Sequence, residues 1–142
     1  MPISGPLDSL LGDEERHATF HDAVITGVQI DYVRKRFVGV MQLSVGDPAA
    51  SDVAARERRR RGELVVDELT LWAIEPPHAG SLGLGDGLWL SADGILAQAP
   101  TDVGKALAQG LSSGGIGWFF FFTNLNAFGY LAGGRAEFRW SS

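Results

Sequence analysis

The sequence predicts a mainly β protein, α+β at most: an antiparallel sheet or sandwich of about six to seven strands with one or two short helices. Three observations carry this. Two runs of alternating side chains, 24–32 and 37–45, flank the polar connection Arg34-Lys35-Arg36, as a β-hairpin requires. Five aromatic residues run from Trp118 to Phe122, and nine of the chain's fourteen aromatics lie between Trp118 and Trp140. Helical periodicity, by contrast, is confined to two short stretches, 7–16 and 103–111.

In chain order, Leu7, Leu10 and Leu11 share one face of a short helical turn, so residues 1–19 read as an N-terminal arm or short helix. In the first strand Val24, Thr26, Val28, Ile30 and Tyr32 alternate with Ile25, Gly27, Gln29 and Asp31. In the second, Phe37, Met41, Leu43 and Val45 share a face. Gly46-Asp47-Pro48 ends the hairpin, and the polar excursion 47–61 has no apolar stripe to dock a helix, so it reads as a mobile Arg-rich loop. A third strand is expected over 63–75. Leu64 and Val66 hold one parity and Leu69, Leu71 and Ala73 the other, which implies a bulge near Asp67-Glu68 before Pro76-Pro77 stops the strand.

Residues 78–100 carry five glycines around one short apolar strand, 87–90. Thr101-Asp102 caps a helix from Val103 to about Leu111, with Val103, Leu107 and Leu111 in register. The aromatic strand 117–123 follows, then a turn through Asn124-Leu125-Asn126. A strand carrying Phe128, Tyr130 and Ala132 leads through Gly133-Gly134, a hairpin signal, into the last strand, 135–140. On the aromatic strand Trp118, Phe120 and Phe122 share one face and Phe119 and Phe121 the other. Both faces are apolar, so both need a cover.

At 142 residues, with 45% hydrophobic and 20% charged residues, the chain is expected to form a single globular domain, 1–142. No apolar run approaches the roughly 20 residues of a membrane span, and Met1–Pro6 lacks the basic and apolar regions of a signal peptide. The absence of Cys removes disulfides, thiolate metal sites and Cys nucleophiles, in keeping with a cytoplasmic protein. Charge is uneven. Residues 34–61 hold eight of the twelve basic residues and three of the seventeen acids, so this segment is +5 and the remainder −10.

Three sets of short strings carry a resemblance. They are Phe20-His21-Asp22-Ala23 opening an alternating strand, Gly62-Glu63-Leu64-Val65-Val66 leading towards Ile74-Glu75-Pro76, and Asn126-Ala127-Phe128 with Glu137-Phe138-Arg139-Trp140. Together they resemble small bacterial proteins of unassigned function, some grouped with polymorphic-toxin immunity proteins. The resemblance spans residues 20–76 and 118–140 and implies a small β-rich protein that acts by binding another protein. It carries over no catalytic residue, and the Arg-rich loop and the run of four Phe lie outside its pattern.

The chemistry-bearing residues are sparse. His17 and His21 have the i, i+4 spacing of a zinc-binding helix, but no Glu stands between them and a strand begins at once. Polar contacts at the start of that strand are the better reading. Among Asp67, Glu68 and Glu75, a glycosidase-like carboxylate pair on one face needs Asp67 and Glu75 on an unbulged strand; a solvated face is the simpler account. No Gly-x-Ser-x-Gly elbow occurs, and the glycine run 80–87 matches neither a phosphate loop nor a dinucleotide fingerprint.

Five arginines, Arg56, Arg58, Arg59, Arg60 and Arg61, can neutralise phosphates, with Trp89 available to stack a base. The remaining charge of −10 favours an acidic protein partner or a solvated loop instead. The expectation is therefore a non-enzymatic, cofactor-free protein-binding module, immunity-like and able to form a homodimer. Its interaction residues are sought among Arg56, Arg58, Arg59, Arg60, Arg61, Trp89, Trp118 and Phe120. The alternatives are nucleic-acid binding through Arg56–Arg61 and a hydrolase whose site the sequence hides.

Overall fold

The computed structural model describes residues 6–111 and 114–141. Strands β1 (Thr19–Asp31) and β2 (Arg36–Ser44) form the expected hairpin, with Asp31 opposite Arg36. The Asp31 carboxylate closes its turn by accepting the backbone N–H groups of Val33 (3.0 Å) and Arg34 (2.9 Å). Phe37, Met41, Leu43 and Val45 are buried on the face the alternation assigns them.

β1 departs from simple alternation. Asp22 takes a left-handed φ of 65°, and Thr26 is an extra residue between the pairs Ile25–Met41 and Gly27–Val40. Each irregularity turns the following side chains over. Phe20, Ala23 and Ile25 are buried, and beyond Thr26 it is Val28 and Ile30 that stand opposite the inward Gly39 and Phe37.

Only a four-residue helix, α1 (Val53–Arg56), interrupts the polar excursion before β3 (Arg59–Asp67). β3 pairs with β2 along its length, from Ser44 opposite Arg59 to Arg36 opposite Asp67. Arg59, Arg60 and Arg61 are thus strand residues, which corrects the mobile-loop expectation for 47–61. The ladder of β2 supplies the backbone partners that their side chains do not advertise. The third strand does not continue to residue 75 through a bulge either. It ends at Asp67, Glu68 takes a φ of 54°, and the chain crosses to β4 (Leu71–Ile74), which pairs with β7. The change of parity is real, but it marks a change of neighbour.

β5 (Leu88–Ile95) is longer than the four-residue run expected, because its polar second half is paired to β6 (Ile116–Phe122). β7 (Ala127–Gly133) lies on the far side of β6, and β8 (Arg135–Trp140) pairs with β3 instead of folding back on β7. Gly133-Gly134 is therefore a crossing, not a hairpin. The described residues form one eight-stranded antiparallel sheet, in the order β4-β7-β6-β5-β1-β2-β3-β8.

The sheet bends back on itself because its two crossings, β3 to β4 and β7 to β8, meet. The Gly134 N–H donates to the Asp67 carbonyl at 3.0 Å. Phe20, Phe37, Leu43 and Leu64 from one half then share a core with Leu90, Trp118, Phe120, Phe122 and Leu131 from the other. Trp72 joins them, its ring 4.9 Å from Phe37 and 6.3 Å from Phe120. Each such side chain, fully buried, contributes about 1.5–3 kcal/mol. The N-terminal turn Leu7–Leu10 adds Leu7 and Leu11 to this core; of the arm expected over 1–19, residues 1–5 lie outside the described residues.

The outer face of β6 and β7 has its own cover. Helix α2 (Asp102–Gln109) brings Leu107 and Ala108, followed by Leu111, against Phe119, Phe128, Tyr130, Ala132 and Leu96. Thr101 Oγ1 caps the helix by accepting from the Gly104 N–H (3.0 Å) and lies 2.6 Å from the Tyr130 hydroxyl, which donates to Glu75. Burial, with the Glu75 bond, pushes the Tyr130 phenol up to about 12. The aromatic strand is thus a central strand covered on both sides.

The crossing leaves no room for a side chain. A Cβ on Gly133 would stand 2.6 Å from Val66 Cγ1 and 2.9 Å from the Asp67 carbonyl oxygen. Gly133→Ala is expected to cost about 1–3 kcal/mol, read as a lower urea midpoint at unchanged slope; an unchanged midpoint would show that the crossing is loose.

Candidate interaction site

The residues named from sequence do not come together. Trp118 and Phe120 are core, 1% and 2% exposed, and present no surface. Arg58 and Arg60 are engaged at home. Arg58 pairs with Glu15 (2.7 Å), and Arg60 pairs with Glu14 (3.1 Å) and Glu15 (3.2 Å), donates to the Ser141 carbonyl and lies 5.2 Å over the Trp140 ring. The Arg58 hydrogen bond, opposed by burial and assisted by Arg60, holds the Glu15 carboxyl below its usual range. Arg59 Nη1 donates to the Asp22 carbonyl at 3.0 Å. Arg56 and Arg61 are exposed and form no ion pair among the described residues. Three of the five arginines thus fasten the start of β3 to the N-terminal segment and to β1.

Trp89 lies elsewhere, and it leads to the site. Strands β1 and β5 pair through Val24–Trp89 and Ile25–Leu88 and then part. The extra residue Thr26, whose hydroxyl donates to the Val40 carbonyl (3.2 Å), re-aims β1 at the point where the pairing stops. From Thr26 to Asp31 β1 has β2 on one side and, among the described residues, no strand on the other. Thr26, Gly27, Val28 and Gln29 are exposed there. Val28 lies on the inward parity yet is 39% exposed, because nothing stands where a ninth strand would cover it.

A groove of about 310 Å³ runs along this edge, walled by Ile25–Val28 on one side and Leu84–Leu88 on the other. It shares Thr26 and Asp86 with an adjoining cleft of about 510 Å³ that includes Asp22, Gln42, Arg59, Trp89, Ser91 and Thr123 in its lining. The Trp89 indole is 42% exposed, and Leu82 and Leu84 are exposed in the adjoining segment.

The far wall of the groove is glycine-rich and would be shapeless without Asn124, which is 3% exposed. Its Nδ2 donates to the carbonyls of Gly83 (3.0 Å), Leu84 (3.1 Å) and Gly87 (2.7 Å), and its Oδ1 accepts the Trp89 N–H (3.0 Å). Asn126 Nδ2 donates to the Ala79 carbonyl (2.9 Å). Residues 79–87 are therefore strapped to the β6–β7 turn, and one amide side chain fixes the positions of Trp89 and of the loop facing β1. Gly87, with φ of 147°, is where the loop passes closest, since a Cβ there would strike the Ile25 carbonyl. Sequence reading took Asn124 and Asn126 for turn residues only. The signal that could have exposed them is a buried Asn facing a glycine-rich run, whose carbonyls need donors.

The remaining polar groups are dispersed. His17 Nε2 is 3.8 Å from Asp47 and His21 Nε2 is 3.7 Å from Asp22, as polar contacts at the start of β1. Among the described residues no cluster of three or more His, Asp or Glu side chains is placed to hold a metal ion. Asp67 accepts from Arg36 (2.7 Å) and Glu75 from Tyr130, so these carboxylates serve different contacts. Asp93, on β5, is pushed up to about 6 by burial and then by the charge of Asp8, with His21 pulling the other way. Among the described residues no helix is long and apolar enough to cross a membrane. Comparison with protein-family models, with curated proteins and with solved structures finds no match for this chain.

Two measurements check this geometry. Asn124→Ala removes both N–H donors and the acceptor of a buried amide and is expected to cost about 2–3 kcal/mol, with faster amide exchange at residues 83–89 as its local sign. Asp93 binds its proton more tightly folded than unfolded, so its contribution is fully present below the ordinary value of 3.8 and is lost as pH rises through about 6. Asp93→Asn should therefore be more stable than the parent by about 1–2 kcal/mol at pH 7, after allowance for solvent screening, with the advantage vanishing by pH 4. An equal advantage at both pH values would remove the ionisation as its cause.

Proposed function

We propose that this protein is a non-enzymatic protein-binding module that takes an extended segment of its partner as an added strand on the open edge of β1. The observation that carries the reading is the unpaired run Thr26–Asp31, whose first half, Thr26–Val28, lines a groove against residues 84–88. An unpaired strand edge offers N–H and C=O groups in register, and natural proteins normally blunt such edges with charge, proline or a covering segment. Thr26-Gly27-Val28-Gln29-Ile30 carries neither charge nor proline. Backbone pairing gives an added strand its affinity and neighbouring pockets give it selectivity. Val28, Leu82, Leu84 and Trp89 supply the apolar contacts here. The resemblance to immunity-like proteins points to the same class of activity, and the engagement of Arg58, Arg59 and Arg60 within the fold speaks against the polyanion alternative.

The test starts from eight-residue peptides selected from a random displayed library, with contacts mapped by amide chemical shifts. Bound peptides are expected to shift and protect the amides of Thr26–Asp31, and Val28→Glu, which burdens the edge with a charge at an exposed site, should weaken binding about tenfold. Peptides that map to Arg56–Arg61 with the β1 amides unmoved would overturn the reading. So would a stable dimer in which those amides are already protected, since the edge would then belong to a second copy.

A further inference from the structure

We infer that the Trp89 cleft is a side-chain pocket for a basic residue, arginine or lysine, of the segment that pairs with β1. This rests on the strand-addition reading and names what it selects. The cleft adjoins the edge groove, the two sharing Thr26 and Asp86 in their walls. A strand laid along Thr26–Asp31 therefore projects a side chain past the end of the pairing into this space. At about 510 Å³ the cleft has room for a long side chain.

Its chemistry favours a cation. Two carboxylates, Asp22 and Asp86, line it, and the indole of Trp89 is 42% exposed in the same wall. The Asp22 side chain is 66% exposed, with His21 Nε2 3.7 Å from its carboxylate, so its charge stands in solvent and is not spent in the interior. The cation already in the lining, Arg59, is turned to the Asp22 carbonyl through Nη1 at 3.0 Å. A guanidinium or ammonium lying on the indole gains cation–π attraction and two carboxylate neighbours, whereas an acidic side chain meets the same carboxylates as repulsion. Thr26, Gln42, Ser91 and Thr123 complete the lining with hydroxyl and amide groups that can receive the remaining donors of a guanidinium.

The test uses small probes, so that it is independent of strand pairing. N-acetyl-L-arginine methylamide is titrated against the isotope-labelled protein, with the citrulline compound of the same shape and no charge as its control, and the indole N–H of Trp89 assigned from Trp89→Phe. The arginine probe is expected to shift that resonance saturably and to bind about fivefold tighter than the citrulline probe. In Asp22→Asn/Asp86→Asn, where Asn keeps the tolerance for positive φ at position 22, the arginine probe should weaken about fivefold. Equal binding of the two probes, or an unchanged constant in the double variant, would overturn the inference. So would a disaccharide such as maltose shifting the indole while the arginine probe does not, which would assign the cleft to a neutral sugar. Failure of the probes leaves the selected-peptide experiment standing, and failure of the peptides to reach β1 leaves the probe result standing, so the two readings fall separately.

Discussion

The close passage of Gly133-Gly134 over Asp67-Glu68 is the constraint on which the rest of this structure depends. An eight-stranded strip with apolar residues on its inner face has to bury that face against something, and among the described residues there is no large helix to lie over it. It covers itself instead. For that, two connections must change halves at one corner, and two backbones must approach within hydrogen-bonding distance there. Only residues without a Cβ permit the approach from the β7 side. Once the corner is closed, β4 and β8 stand at opposite ends of the strip while their neighbours β7 and β3 touch, and the aromatic inner face of β6 meets Trp72 and Phe37.

Closing one side of the strip opens the other. The junction between the halves is the short pairing of β1 with β5, two residues long on each strand. A curved sheet that must accommodate both Phe20 and Trp118 inside cannot keep β1 and β5 parallel to each other over their full lengths, and the bulge at Thr26 takes up the divergence. Its consequence is a strand that is a paired member of the hairpin and an open edge at once. The same divergence leaves Val28 on the inward parity without a neighbour and makes space for the cleft beside Trp89. The binding surface proposed for this protein is a by-product of how the sheet closes.

Much of the fold was legible because it follows from periodicity. The β1–β2 hairpin, the inward set Phe37, Met41 and Leu43, the two-sided aromatic strand and the Thr101-capped helix each follow from local pattern, and the structure places them so. What was not legible depends on partners distant in sequence. Gly133-Gly134 reads as a hairpin turn by composition, because nothing local distinguishes a turn from a crossing. The arginines of β3 read as a loop because their pairing is decided by β2, and the charges of Arg58 and Arg60 are met by Glu14 and Glu15, some 45 residues away. Of the site, Trp89 was legible as an aromatic available for stacking, on a short apolar strand among glycines. The open edge was not, since a strand's missing neighbour leaves no mark on the strand.

The arginine-rich segment shows how position in the fold changes the meaning of composition. Counted along the chain, it is a patch of +5 seeking an anion. In space, Arg58 and Arg60 meet an acidic pair from the N-terminal segment, and Arg60 also reaches the Ser141 carbonyl and the Trp140 ring. A guanidinium that already satisfies a carboxylate, a carbonyl and a ring face has to break those contacts before it can serve a phosphate, and exposed pairs gain too little, about 0–1 kcal/mol each, to make that exchange favourable in many places at once. The neighbouring Trp89 cleft is the reverse case: Asp22, Asp86 and Trp89 line it, and the one cation in its wall, Arg59, is bonded to a backbone carbonyl and not to a carboxylate. The conspicuous basic run therefore spends Arg58 and Arg60 within the fold and leaves Arg56 and Arg61 to solvent, while the acids beside Trp89 stand where the sequence shows no run at all.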